Sequence, residues 1–257
     1  AVAALSTLLD AALRGATAAA MVGKPWWVSA LQSLVWAAGG GLVWWWHWKH
    51  DGGRLLRTGF AGIALIAVGV LGAGVLTLGG AGVVLFVLLR LAFDRIESMD
   101  LLLEPLAPAV AAAAIGSLVW VYHRGLARGS SETLRQGSRL VTSGVALVAA
   151  ASGIGVIVNA ALAMAATPLA GSGARTLLLG GISSLLVGGP VWWFTWKPLD
   201  RTPAAVPGAA GDSGAWLNAR RVYLIVVFGL SAVVAVITLL VIGFRTFEYF
   251  LGDLSGG

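Results

Sequence analysis

Apolar stretches of about 20 residues, each long enough to cross a hydrocarbon core of about 30 Å, recur along the whole chain. In lipid every backbone polar group needs an internal partner, so only helices and closed barrels can span. The runs are rich in Ala, Val and Leu, are interspersed with 36 glycines and lack period-two alternation, so they read as helices. A water-soluble alternative fails on composition. Of 257 residues 58% are apolar and 11% charged, with a mean hydropathy of +0.89, whereas a soluble domain has about 45–50% and about 25%. The expected fold class is an all-α membrane protein of a bacterial-type plasma membrane.

One nonapeptide occurs three times: Gly40-Gly-Leu-Val-Trp-Trp-Trp-His-Trp48, Gly116-Ser-Leu-Val-Trp-Val-Tyr-His-Arg124 and Gly188-Gly-Pro-Val-Trp-Trp-Phe-Thr-Trp196. The shared core is Gly-x-x-Val-Trp followed by aromatics, and its leading glycines, Gly40, Gly116 and Gly188, recur at nearly equal spacing. Each copy ends an apolar helix, over 27–48, 105–123 and 174–196. After each comes a basic loop and a helix opened by arginine, over 57–93, 139–166 and 221–250. Residues before Trp26 read as the tail of an earlier arginine-led helix, since the shift that carries Gly40 onto Gly116 also lays Leu13-Arg14 on Leu89-Arg90.

The expectation is about seven transmembrane helices in tandem two-helix repeats: a partial unit over 1–48, units over 49–123 and 124–196, and a linker with a final helix over 197–257. The 57–93 segment is read as one span kinked at Gly79, Gly80 and Gly82. The same shift carries Arg57 to position −19, ahead of Ala1, so the natural chain is expected to extend upstream at least that far, with Arg or Lys near that point.

Charge sets the orientation. Loops after the Trp-ended helices hold 11 of the 17 basic residues against four acids, a balance of +7, and the opposite side balances at −1. The positive-inside rule then puts the Trp ends in the cytoplasm and the C-terminus outside. Trp44, Trp45, Trp46, Trp48, Trp120, Trp192, Trp193 and Trp196 fall at headgroup level, where an amphipathic indole sits best, and read as an interfacial belt. Trp26 and Trp27 serve the outer belt.

The pairing of an Arg220-Arg221-Val-Tyr223 opening on one helix with a Gly-x-Pro-x-Trp-Trp ending from Gly188 to Trp193 on another resembles the bacterial domain of unknown function 5671. The likeness extends over most of the chain as successive units, best at the last two helices. The middle unit lacks the proline and the second Trp. The resemblance implies a membrane domain and no particular activity.

With no cysteine, thiolate metal sites, iron–sulfur clusters, disulfides and Cys nucleophiles are excluded. Every acid lies near a helix end or loop apart from Asp10, which disfavours a proton-coupled transporter. Asn159, deep in a span, is expected to make an interhelical hydrogen bond. His47 and His123 share a repeat position where the third copy has Thr195, and His50 is a loop residue. Haem or metal ligation needs facing imidazoles with supporting partners, so these histidines are read as interfacial polar groups. No cofactor and no metal is expected.

Gly211-Asp-Ser-Gly214 resembles a serine-hydrolase motif but sits in a Pro/Ala/Gly linker with no histidine after it, so it is read as a flexible connection. There is no P-loop, no His-Glu-x-x-His and no dinucleotide fingerprint. The basic loops are short and explained by topology, so no nucleic-acid partner is expected.

What remains is packing. Gly180, Ser184 and Gly188 form a small-residue stripe at i, i+4 and i+8; Ala112 with Gly116, Gly69 with Ala73, and the repeat glycine Gly40 read likewise. Leucine at Gly116 or Gly188 is expected to cost more than at Ala111. The leading reading is a non-catalytic membrane subunit or scaffold that packs with membrane lipids and other integral membrane subunits. The alternatives are a carrier or channel for a neutral or lipid-like substrate and a haem- or pigment-binding membrane protein.

Overall fold

The computed structural model describes residues 2–14, 26–50, 59–94, 96–166 and 172–200, with scattered helical positions between 221 and 247. The basic loop at 51–58, the linker at 202–214 and all of the Arg220-Arg221-Val-Tyr223 opening except Arg221 lie outside the described residues, as do the side chains of Asp10, Arg14, Trp26 and Trp27. No β-strand occurs among the described residues. The fold is all-helical, as the sequence requires.

We label the helices α1 (Val2–Arg14), α2 (Trp26–Trp45), α3 (Gly59–Phe93), α4 (Met99–Leu103), α5 (Leu106–Arg128), α6 (Glu132–Ala166) and α7 (Ser172–Asp200). Among the described residues four helical stretches are long and apolar enough to cross a membrane: Gly59–Phe93, Met99–Arg128, Glu132–Met164 and Gly173–Lys197, with mean hydropathies of 1.6 to 2.3. Most of their surface faces outward and is apolar; Phe60, Val68, Leu118, Val121 and Phe194 are all exposed. A water-facing patch of that kind is foreign to a soluble monomer, whereas a lipid-facing one is ordinary.

Three boundaries differ from the sequence reading. The aromatic motifs do not end their helices: α5 runs on past His123 to Arg128, α7 past Trp196 to Asp200, and α2 continues as a π-helix over Trp46–His50. α6 opens at Glu132, two turns before Arg139, because an acid suits a helix N-terminus and Glu132 is held by Arg135 and by Gln136 Nε2 at 2.8 Å. And α3 is one continuous helix that stays α-helical through Gly79, Gly80 and Gly82. Its irregular stretch is instead a π-helix over Leu65–Gly72, a wide turn of the sort found where a bulky neighbour must be accommodated.

The spans pack as two antiparallel hairpins, α3 with α5 and α6 with α7. Their glycines decide how close the backbones come. A Cβ on Gly80 would lie 2.6 Å from the Ala109 carbonyl and from the Ala113 amide; one on Gly116 would lie 2.8 Å from the Thr77 amide. In the second hairpin a Cβ on Gly153 would lie 2.7 Å from the Gly181 carbonyl and 2.6 Å from the Leu185 amide, and one on Gly188 would lie 2.6 Å from the Ala150 amide. Every one of these partners recurs under a constant shift. Gly80 and Thr77 map onto Gly153 and Ala150 by one shift, while Ala109, Ala113 and Gly116 map onto Gly181, Leu185 and Gly188 by a shift shorter by a single position.

This geometry corrects two of the packing residues. The column that faces α6 is Gly181, Ser184 and Gly188; Gly180 points the other way, 3.7 Å from the Phe86 ring. One residue along a helix is about 100° around it, so the two glycines cannot share a face. Gly40 has nothing within 4 Å and faces outward. Ser184 is placed as expected and donates to the Ala149 carbonyl at 2.7 Å. Asn159, by contrast, is exposed on α6 and bonds to no neighbouring helix among the described residues.

Candidate functional site

The three nonapeptides share a local device. At its eighth position His47 Nδ1 meets the Val43 carbonyl at 3.1 Å, His123 Nδ1 meets the Val119 carbonyl at 2.8 Å, and Thr195 Oγ1 donates to the Val191 carbonyl at 2.7 Å. Each side chain reaches back one turn to the valine of Gly-x-x-Val-Trp. A carbonyl only accepts, so Nδ1 carries the proton in both histidines. His and Thr are interchangeable here because the position asks for one donor, which explains why the third copy dispenses with imidazole.

Around this device the aromatics form a cluster at the ends of α2 and α5, a run of Trp45, Trp46 and His50, and a Trp192–Trp196 stack. Trp48 Nε1 donates to Tyr122 Oη at 3.0 Å, the Trp48 ring lies 5.7 Å from His123, and Trp44 meets Tyr122 edge-on at 5.9 Å. This joins the end of α2 to the end of α5. Trp46 stacks on His50 at 4.2 Å, and Trp192 on Trp196 at 6.4 Å. Trp44, Trp45, Trp46 and Trp193 are exposed, and Lys197 lies over the Trp193 ring at 5.1 Å.

Trp120 is different. Only 9% exposed, it packs with Leu65, Val70, Ala73 and Ala127 in a core that Trp48, Val141 and Val191 close from outside. It is a core residue and not part of the belt. Its indole nitrogen lies against α3 at Gly74, where a Cβ would stand at ordinary contact distance, 3.6 Å away. His123 is seated more tightly: a Cβ on Gly69, inside the π-helical stretch, would overlap its imidazole. Gly69→Ala is therefore expected to destabilise by about 1–3 kcal/mol, the usual cost of overpacking. His123→Ala in the same chain should recover most of that loss in a thermal-unfolding double-mutant cycle, and additive losses would show that the ring and the glycine are uncoupled.

The opposite end of the hairpins carries a polar cluster around Asp94, one of the acids that the sequence reading put near helix ends or loops. Asp94 caps α3 and is 1% exposed. Thr176 of α7 donates to its Oδ2 at 2.9 Å, and Arg90 Nε lies 3.7 Å from the same oxygen. Arg90 also donates to Glu97 Oε2 at 3.0 Å and lies 5.7 Å from the Phe86 ring centroid. The spacing of Arg90 and Asp94, one turn apart, was the available signal; Thr176, on a helix remote in sequence, carried none.

Between the two ends, α3, α6 and α7 leave a cleft of about 320 Å³, lined by Gly79, Gly82, Phe86, Gly180, Ser183 and Ser184 among others. Its hydroxyls are committed, Ser183 to the Gly180 carbonyl at 3.1 Å and Ser184 to that of Ala149, so the cleft offers carbon to an occupant. Among the described residues no three His, Cys, Asp or Glu side chains converge as a metal site would require.

Residues 132–256 match the family model of a domain of unknown function, DUF5671. The match begins at the first residue of α6 and takes in α7. No curated protein and no solved structure matches the chain.

Proposed function

We propose that this chain is a multi-pass plasma-membrane subunit or scaffold of bacterial type, with about seven spans in tandem two-helix units, that acts by packing against lipids and other integral membrane proteins. The observation that carries the reading is the pair of hairpins joined at backbone depth through partners that repeat from the first hairpin to the second. Such contacts spend small residues on a fixed helix geometry, which is what an assembly element needs in lipid. The match to a domain without an assigned activity is compatible with that role.

Extraction of the full chain in mild detergent tests it. A defined complex with other membrane proteins, of reproducible composition, is expected. A lone chain that moves a neutral or lipid-like solute across vesicles would favour the carrier reading, for which the apolar cleft between α3, α6 and α7 speaks.

Orientation has its own test. A reporter fused after Gly129, between α5 and α6, is expected to read cytoplasmic and one after Gly257 external. A cytoplasmic C-terminus would overturn the seven-span count.

A further inference from the structure

The end of α5 reads Arg124-Gly125-Leu126-Ala127-Arg128-Gly129, and Arg139 lies two turns into α6, across a short connection. Arg124 and Arg128 stand at i and i+4, which puts them on one face. Val141 packs against the core that holds Trp120 and Ala127, which brings the start of α6, and Arg139 with it, to the end of α5 that carries Arg124 and Arg128. Three guanidiniums thus converge where α5 hands over to α6.

None of the three has an acidic partner among the described side chains, while their neighbour Arg135 is paired with Glu132. Glu132 is engaged by Arg135 at one oxygen and by Gln136 at the other. No other acid occurs between Glu104 and Asp200. Arg124 is half-buried, its guanidinium carbon over the Trp120 ring at 5.3 Å from the centroid. Arg128 and Arg139 are exposed, and Gly125 beside them has nothing within 4 Å of where a Cβ would stand, so the face is open. One turn below, Leu118 and Val121 are exposed and apolar.

We propose that Arg124, Arg128 and Arg139 bind a phosphate group, that of an anionic membrane lipid whose acyl chains lie along the exposed apolar face of α5. Convergent like charges repel unless an anion sits among them, and the planar guanidinium fork matches phosphate oxygens two at a time. Basic pockets between helices at a membrane surface hold anionic headgroups on the same physics. The site lies beside the level at which Trp44 and Trp48 meet Tyr122, two residues before Arg124, and a headgroup phosphate resides at the depth of such interfacial indoles. The inference rests on the membrane-subunit reading and adds a ligand class to it.

The test uses the full chain purified in a neutral detergent. Native mass spectrometry is run with phosphatidylglycerol or with phosphatidylcholine, and thermal midpoints are read with each lipid and with inorganic phosphate alone. Retention of one phosphatidylglycerol per chain is expected, at least tenfold over phosphatidylcholine, with a saturable rise in midpoint. Arg128→Gln and Arg139→Gln, both at exposed positions that leave the fold intact, should each lower that preference severalfold. Arg124→Gln should do so more strongly, and Arg128→Lys should fall between wild type and Arg128→Gln. Lys197→Gln, over the Trp193 ring, should leave the preference unchanged.

Equal retention of the two lipids, or a preference that survives Arg128→Gln and Arg139→Gln, would overturn the site. Stabilisation by inorganic phosphate with none from phosphatidylglycerol would overturn the lipid as its source. A chain recovered as soluble protein without detergent would instead sink the membrane reading beneath it.

Discussion

Leucine at Gly153 or Gly188 is expected to lower the detergent thermal midpoint more than leucine at most other positions in the described spans. A Cβ at Gly153 would stand 2.6 Å from the Leu185 amide, and one at Gly188 would stand 2.6 Å from the Ala150 amide and 2.8 Å from the Ala146 carbonyl. These obstacles are backbone, and no rotamer change moves them. α6 and α7 would have to separate, and the Ser184 bond to the Ala149 carbonyl would stretch with them.

Overpacking typically costs about 1–3 kcal/mol and occasionally more, to which an interhelical hydrogen bond in lipid adds about 0.6 kcal/mol. Gly80→Leu and Gly116→Leu should do the same to the other hairpin, and one change in each should be nearly additive. The comparison positions are Gly144 and Gly155, which have nothing within 4 Å and should tolerate leucine. Ala111 is unsuitable for that purpose because it is 0% exposed. Equal losses at Gly155 and Gly153 would show that these glycines do not set the helix spacing.

The second large effect is expected at Asp94. Its side chain is 0% exposed and carries the ion pair with Arg90 and the hydrogen bond from Thr176. Removing one member of a buried pair strands the other charge, which costs roughly 3–5 kcal/mol. Arg90 keeps Glu97 at 3.0 Å, so Asp94→Ala should fall near the lower end, about 3 kcal/mol by the same rule. Asp94→Asn keeps an acceptor for Thr176 and should lose less. In a cycle with Thr176→Val the Asp94→Ala loss should shrink, because both variants remove the same bond. Full additivity in equilibrium unfolding would show that α3 and α7 are not coupled through this carboxylate.

The helical class and the importance of small residues were legible because apolar run length and the scarcity of charge leave few other solutions. The register was not. Gly180 and Gly181 are adjacent, and a stripe read at i, i+4, i+8 cannot say which glycine meets α6 when Ser184 serves either column. The Phe86 ring on one side and the Gly153 backbone on the other made that choice.

Trp120 was misplaced for a similar reason. Its immediate neighbourhood in sequence looks like those of Trp44 and Trp192, and what distinguishes it is the packing of Leu65, Val70 and Ala73 of α3 around it. The glycines at 79, 80 and 82 suggested a kink, yet Gly80 is there for close approach to Ala109 and the wide turn lies earlier, beneath His123. Asp94 was legible as an acid at a helix end, but its burial was not, because its donor on α7 is remote in sequence. Each of these outcomes was set by a neighbouring helix.

The two unequal shifts in the hairpin contacts bear on how such a chain changes over generations. Gly80 stands as far before Phe93, the last residue of its helix, as Gly153 stands before Ala166. The single-position difference between the hairpins therefore falls after those helices. The segment from Phe93 to Ala109 includes α4 and the turn before α5, and its counterpart runs from Ala166, the last residue of α6, to Gly181 in α7. Inside a helix a single inserted residue would swing every later glycine by about 100° and jam two backbones; in the connection it moves nothing. Two hairpins of this geometry can therefore differ freely in side chains and in loop length while their spans stay locked to the residue count. Ancestry between such units is to be sought in the distances between glycines before it is sought in sequence identity.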